Sequence, residues 1–234
     1  RDLRRQRQMC IRDSINPVRA LADRVHAVGG HIVVDGVSYA PHGLPDVAAL
    51  DCDVYLYSTY KTYGPHVGLM YTRRSLLEQM TNQGHYFKDT TPEGWLTPAG
   101  PDHAAIGSVA GIADYYDTLV AHHGIEGTTS RGRVASLFAA FAAHEAEITA
   151  PLVEMLIAHD RARLVGAPTV DQAVRAPTVA FHVPGTTSAS IYDALIEAKV
   201  SCGHGNFYAH RLVGSLGLDI DDGVVRVSAV HYNS

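Results

Sequence analysis

Two short apolar runs organise the first half of the chain. His31-Ile32-Val33-Val34-Asp35 and Asp53-Val54-Tyr55-Leu56-Tyr57-Ser58 are rich in β-branched and aromatic residues and are bounded by glycine or polar positions, the pattern of buried strands. Between them lie the 17 residues 36–52, and a parallel crossover needs about a dozen, so the two strands can run parallel with their carboxyl ends at one edge. A third run, Gly68-Leu69-Met70-Tyr71, follows Lys61 after only six residues. That is too short for a crossover, so this strand is expected antiparallel. Pro17 to Val28 places Val18, Leu21, Ala22 and Val25 at helical spacing and ends at Gly29-Gly30, a helix with its stop signal. Ala104 to His123 reads as a small-residue helix suited to close packing. Arg131 to His159 reads as a longer one bearing Leu137, Phe138, Phe141, Ile148, Leu152 and Leu156, which Pro151 should kink or divide. Beyond it, Thr178 to Val183 and Val224 to Ser228 read as strands and Ser188 to Lys199 as a helix. No internal repeat or low-complexity segment interrupts this order.

The strand pattern gives two residues a chemical meaning. In open α/β sheets ligands sit just outside the carboxyl edge, where both Asp35 and Lys61 would lie. A lysine amine, with an ordinary pKa of about 10.4, forms a Schiff base with an aldehyde cofactor once desolvation or a neighbouring cation favours its neutral form. A carboxylate facing a pyridine nitrogen keeps that nitrogen protonated and lets the ring act as an electron sink. On this reading Lys61 anchors pyridoxal 5'-phosphate and Asp35 tunes it, while Ser58 and the Tyr60 hydroxyl can donate hydrogen bonds to its phosphate. The same spacing also suits a surface lysine after a strand and an aspartate opening the Asp35-Gly36 turn.

The segment VVDGVSYAPHGLPDVAALDCDVYLYSTYKTYGPHVGLMY, residues 33–71, resembles the cofactor-binding half of the class V aminotransferases, the fold-type I pyridoxal phosphate enzymes that include the cysteine desulfurases. In that family an Asp-x-x-Gln motif precedes a Ser-x-His-Lys motif. Asp35, Ser58 and Lys61 match directly, Ser38 stands in place of the Gln, and Tyr60 in place of the His. The resemblance covers about residues 15–234. Gly223-Val224-Val225-Arg226-Val227-Ser228, followed by His231-Tyr232-Asn233, resembles the segment whose arginine binds the substrate α-carboxylate. It implies Arg226 as a clamp whose guanidinium fork matches a carboxylate in two parallel hydrogen bonds. His42 and His66 flank the implied cofactor site, and His42 is carried forward as a substrate contact. Gly203 to Ala209 corresponds to the loop that holds the desulfurase nucleophile, with Tyr208 in the cysteine's place. A phenol cannot take up sulfur as a persulfide, so the resemblance is to the desulfurase-like branch without that nucleophile. Gly94 to Pro101 resembles the loop through which a neighbouring subunit touches the cofactor phosphate. Pro101 replaces its usual hydroxyl residue, leaving Thr97 for such a contact. A homodimer is implied by resemblance alone.

The fold implied is α/β: residues 15–130 as the C-terminal portion of a large cofactor-binding domain with a mostly parallel sheet, and residues 131–234 as a small α/β domain cut short at its end. The match begins in the middle of the large domain, so the chain reads as a fragment lacking its N-terminal part. The function implied is a pyridoxal-phosphate-dependent enzyme acting on an amino acid through a Lys61 Schiff base. The alternative is a non-catalytic fragment that keeps the fold.

Composition narrows the classes further. The 234 residues are 46% hydrophobic with a net charge of −5, enough for one sizeable core or two small ones and without the basic excess of a nucleic-acid binder. No run approaches the roughly 18 apolar residues of a membrane span, and no secretory apolar region opens the chain. The cytoplasm is the expected compartment. Cys10, Cys52 and Cys202 are odd in number and widely spaced, unlike a disulfide framework or thiolate metal site. The 14 histidines lack an H-E-x-x-H or carboxylate partner, so no metal is expected. Residues 1–14 hold five arginines and no apolar period. They resemble translated adapter read-through and are read as a non-native extension, the other reading being a basic arm for anionic partners.

Overall fold

The computed structural model describes Ile11, residues 14–97 and residues 100–234. The remainder of the N-terminal extension lies outside the described residues. The chain divides into two compact units, Pro17–Leu137 and Phe138–Ser234, the second joined by Ile11 and residues 14–16. The division falls within one helix, whose first residue is the boundary expected from the sequence.

In the first unit, helix α1 (Val18–His26) follows Pro17 and ends before Gly29, which takes the left-handed φ of +70° that glycine adopts without strain. Strand β1 (Val33–Asp35), the short helix α2 (Val47–Leu50) and strand β2 (Val54–Ser58) come next. The α2 turn is capped by Asp46, whose carboxylate accepts from Ala48 N–H at 3.1 Å and Ala49 N–H at 3.0 Å. Strand β3 (Gly68–Thr72) completes a sheet of order β1-β2-β3. As the chain pattern predicts, β1 and β2 are parallel, with Val33 opposite Val54 and Asp35 opposite Leu56. Strand β3 is antiparallel to β2, with Ser58 opposite Gly68. The short helix α3 (Arg74–Leu77) follows. The helix expected over 104–123 is two: α4 (His103–Ser108) and α5 (Ala110–His122). Asp102 caps the first by accepting from Ala105 N–H at 2.9 Å.

Helix α6 (Ser130–Ala158) is continuous, with Pro151 inside it. The expected division at Pro151 does not occur: proline's fixed φ is itself helical, and what is forfeited is one backbone hydrogen bond. The second unit then forms a four-stranded antiparallel sheet in the order β4-β5-β7-β6 from β4 (Arg163–Val165), β5 (Thr178–His182), β6 (Gly203–Gly205) and β7 (Val224–Ser228). Helix α7 (Ser188–Glu197) precedes β6, and α8 (His210–Ser215) follows it. Because successive strand side chains alternate between faces, the sheet has two cores. Val179, Phe181 and Val225 pack with Val153 and Leu156 of α6 on one face. Ala180 and Val224 pack with Leu212 and Val213 of α8, and with Ile11, on the other. Ile11 is fully buried, so this residue of the N-terminal stretch packs as part of the second unit.

Candidate functional site

The carboxyl ends of β1 and β2 share one edge of the first sheet, and most of the expected site residues gather there. Asp35 closes β1. Asp35 is exposed, and its carboxylate accepts from Val37 N–H at 3.0 Å in a local turn. Ser38 and His42 lie in the turns that follow, both half-buried, with His42 N–H donating to Tyr39 C=O. This turn region is tightly seated. A β-carbon on Gly36 would come within 2.1 Å of the Tyr55 hydroxyl, and one on Gly43 within 2.1 Å of the Tyr39 ring. Burial pushes the Tyr39 and Tyr55 phenols above their ordinary range, so both stay protonated at neutral pH.

Ser58 ends β2, and the chain enters a 3₁₀ turn, Thr59–Thr62, that carries Tyr60 and Lys61. Thr59 locks this turn. It is 1% exposed, and its hydroxyl donates to Pro65 C=O at 2.6 Å and lies 3.1 Å from Val67 C=O. Its N–H donates to Val67 C=O at 2.8 Å. Thr62 Oγ1 donates back to Thr59 C=O at 2.9 Å. Tyr63 then takes a left-handed φ of +69°, and a β-carbon on Gly64 would lie 2.5 Å from Ile112 Cδ1. The result is a closed loop from which Tyr60 and Lys61 project, both exposed. The Lys61 ammonium lies over the Tyr60 ring, 5.3 Å from its centroid. That ring is itself stacked on His66 at 4.6 Å and 22°.

Arg226 belongs to the other unit. It sits in β7, opposite Ala180 of β5 and Gly203 of β6, on the sheet face that carries Val224. Its guanidinium carbon lies 3.9 Å from the centroid of Phe207. The sequence pattern gave no sign of this cover, because Phe207 and Tyr208 both adopt left-handed φ values, +48° and +61°, a conformation few non-glycine residues take. The Asn206 side chain supports that turn, accepting from Tyr208 N–H at 3.1 Å and donating to Ile220 C=O at 3.1 Å. Tyr208, in the position of the desulfurase cysteine, is 83% exposed. Thr97 and Pro101 are exposed on either side of residues 98 and 99, which lie outside the described residues. A cavity of about 290 Å³ in the second unit is lined by Leu164, Leu216, Leu218 and His182 among others, and by none of the expected site residues. Among the described residues no group of three or more His, Cys, Asp or Glu side chains is placed to hold a metal ion. No helix among them is long and apolar enough to cross a membrane.

The chain and its fold are matched by known proteins. The profile of the class V aminotransferases covers residues 13–234. The chain belongs to the class V aminotransferase family. An aminotransferase-like protein of Gibberella zeae, FGM3, is 38% identical over 229 residues, covering 94% of this chain and 52% of its own length. A cysteine desulfurase-like protein of Aspergillus flavus, ustD, is 30% identical over 227 residues, or 94% of this chain and 48% of its own. Among solved structures, the Escherichia coli cysteine desulfurase CsdA superposes with a TM-score of 0.70 at 22% identity, over 96% of this chain and 53% of its own. This class V aminotransferase chain spans about half the length of the curated relatives it matches, and its fold is the α/β fold-type I architecture of its structural neighbours.

Proposed function

We propose that the chain is part of a pyridoxal-phosphate-dependent enzyme acting on an amino acid. The observation that carries the reading is the placement of Lys61 and Asp35 beyond the same edge of two parallel strands. The donor set there fits the cofactor: an amine, a carboxylate and the hydroxyls of Ser58, Ser38 and Tyr60. Lys61 would be the covalent anchor, Asp35 would pair with the pyridine nitrogen, Ser58 and Tyr60 would hold the phosphate, and Ser38 would meet the ring substituents. When bound, the cofactor supplies an electron sink for bonds broken at the substrate α-carbon. Lys61 would supply the amine that moves protons at that carbon. Arg226 clamps the substrate carboxylate in a charge-assisted fork, and His42 contacts the substrate from the turn after β1. A phenol at Tyr208 argues against persulfide chemistry in that loop. Family likeness further supports a homodimeric parent.

A second reading is favoured by Ser38 and Tyr60, which stand where the family motifs carry Gln and His: the fold is kept and catalysis is not. One titration separates the two. Pyridoxal phosphate is added to the purified chain, the visible band of lysine-bound cofactor is followed, and the adduct is fixed with borohydride and mapped by mass. A stoichiometric adduct on Lys61 that Lys61→Ala abolishes supports the first reading. A folded chain that takes up no cofactor supports the second.

A further inference from the structure

We propose that His66 is a positioning residue: its ring holds Tyr60, and the Tyr60 ring sets the direction of the Lys61 side chain from which the lysine, once it gives up its proton, works. The proposal rests on the reading of Lys61 as the cofactor anchor. Tyr60 is 41% exposed, so core packing does not select its rotamer. Lysine has a flexible four-carbon stem with many accessible conformations. Order in this pair must therefore come from the surface of the loop itself.

The loop supplies it. Thr59 ties the outgoing arm to Pro65 and Val67 on the returning arm, which brings His66 back alongside Tyr60. The two rings then stack at 4.6 Å and 22°, within the spacing at which aromatic pairs attract. A ring fixed in this way offers a stationary π face, and the Lys61 ammonium lies over it at 5.3 Å, within cation–π range. Removing the His66 ring frees Tyr60 to rotate, and Lys61 loses the surface that limits its own rotation. Misplacement of a reacting group by about 1 Å is enough to slow a reaction severely.

Lys61, Lys88 and Lys199 are the only lysines in the sequence, which makes a direct test simple. The full chain is reductively methylated with ¹³C-formaldehyde, and the Lys61 methyl resonance is assigned by its loss in Lys61→Arg. In wild type we expect it upfield of the other two lysines, shifted by the Tyr60 ring current. His66→Ala should collapse that shift and His66→Phe should restore it, with unchanged melting curves in both. An unshifted Lys61 resonance in wild type, or a shift that survives in His66→Ala, overturns the proposal. Should His66→Ala fail to fold, His66→Leu keeps the bulk without the ring: a shift lost there supports the proposal, and a shift retained overturns it. On unmethylated protein, pyridoxal phosphate uptake should be several-fold slower in His66→Ala and His66→Leu and restored in His66→Phe, and an unchanged rate in the first two overturns positioning. A wild type that displays the ring shift but takes up no cofactor removes the anchor reading, while the shift still supports the placement.

Discussion

At the scale of single residues, the Lys61 turn depends on Thr59. Its hydroxyl makes two contacts with carbonyl oxygens of the returning arm while being almost completely buried. Valine has nearly the same shape but cannot donate, so Thr59→Val should cost about 1–2 kcal/mol, the loss expected for buried hydrogen bonds whose carbonyl partners keep other donors. Here Val67 C=O still receives Thr59 N–H, and Pro65 C=O still receives Val67 N–H. Urea unfolding of Thr59→Val measures this, and a stability equal to that of the wild type would mean that the hydroxyl contributes nothing. The same comparison explains what the chain pattern made legible. Lys61 and Asp35 could be singled out because each follows an apolar run at a spacing that closes a crossover. The Tyr60–His66 stack could not, since it exists only once Thr59 has folded the loop back on itself. The Phe207–Arg226 contact was hidden for a related reason: it depends on two consecutive left-handed residues.

At the scale of elements, long amphipathic patterns were readable and short segments were not. Helices α1, α6 and α7 and strands β2, β5 and β7 fall close to their expected positions, because each carries an apolar set that the fold packs away from water, and β3 does so through its pairing with β2 although its Leu69 and Met70 are exposed. Strands β4 and β6 have three residues each, and β6 is Gly203-His204-Gly205. Their strand character comes from pairing with β5 and β7, a long-range property no local window contains. Pro151 is the opposite case, a strong local signal that the surrounding helix overrides. It is exposed and interior to α6, so its missing N–H leaves Glu147 C=O without its helical donor. An interior proline costs about 3 kcal/mol relative to alanine. The freedom that alanine returns to the unfolded chain offsets up to about 1 kcal/mol of that. Pro151→Ala should therefore stabilise the chain by about 2–3 kcal/mol and raise the melting temperature, and a lowered one would mean that α6 needs its proline for packing.

At the scale of the whole molecule, the edge that presents Lys61 is held from the opposite end of its sheet. There Asp53, 4% exposed, accepts from Ile32 N–H at 2.8 Å, contacts His26 Nε2 at 2.9 Å and faces Arg73 Nε at 3.2 Å. It thus joins α1, the approach to β1, the start of β2 and the end of β3. Asp51 extends the network to the same arginine. Nothing in the spacing of these residues marked them as partners, because they meet only when β3 returns antiparallel to β2. Burial by itself would raise the Asp53 carboxyl, and it is the largest single influence. The Ile32 N–H, His26 and Arg73 together outweigh it and leave the group below its ordinary value. Asp51 is lowered first by its hydrogen bond from Arg73. Both carboxylates bind protons less readily when folded than when unfolded. Their contribution is therefore full above the unfolded carboxylate value of about 4 and is lost as pH falls through the lower folded values. Asp53→Asn should cost about 2 kcal/mol at neutral pH, the loss of hydrogen bonds to a charged acceptor. The gap between wild type and Asp53→Asn, read as urea midpoints from pH 7 down to pH 3, should narrow below pH 4. A gap that stays constant over that range would mean that Asp53 acts through shape alone, and that its charge does not hold the sheet whose far edge carries Lys61.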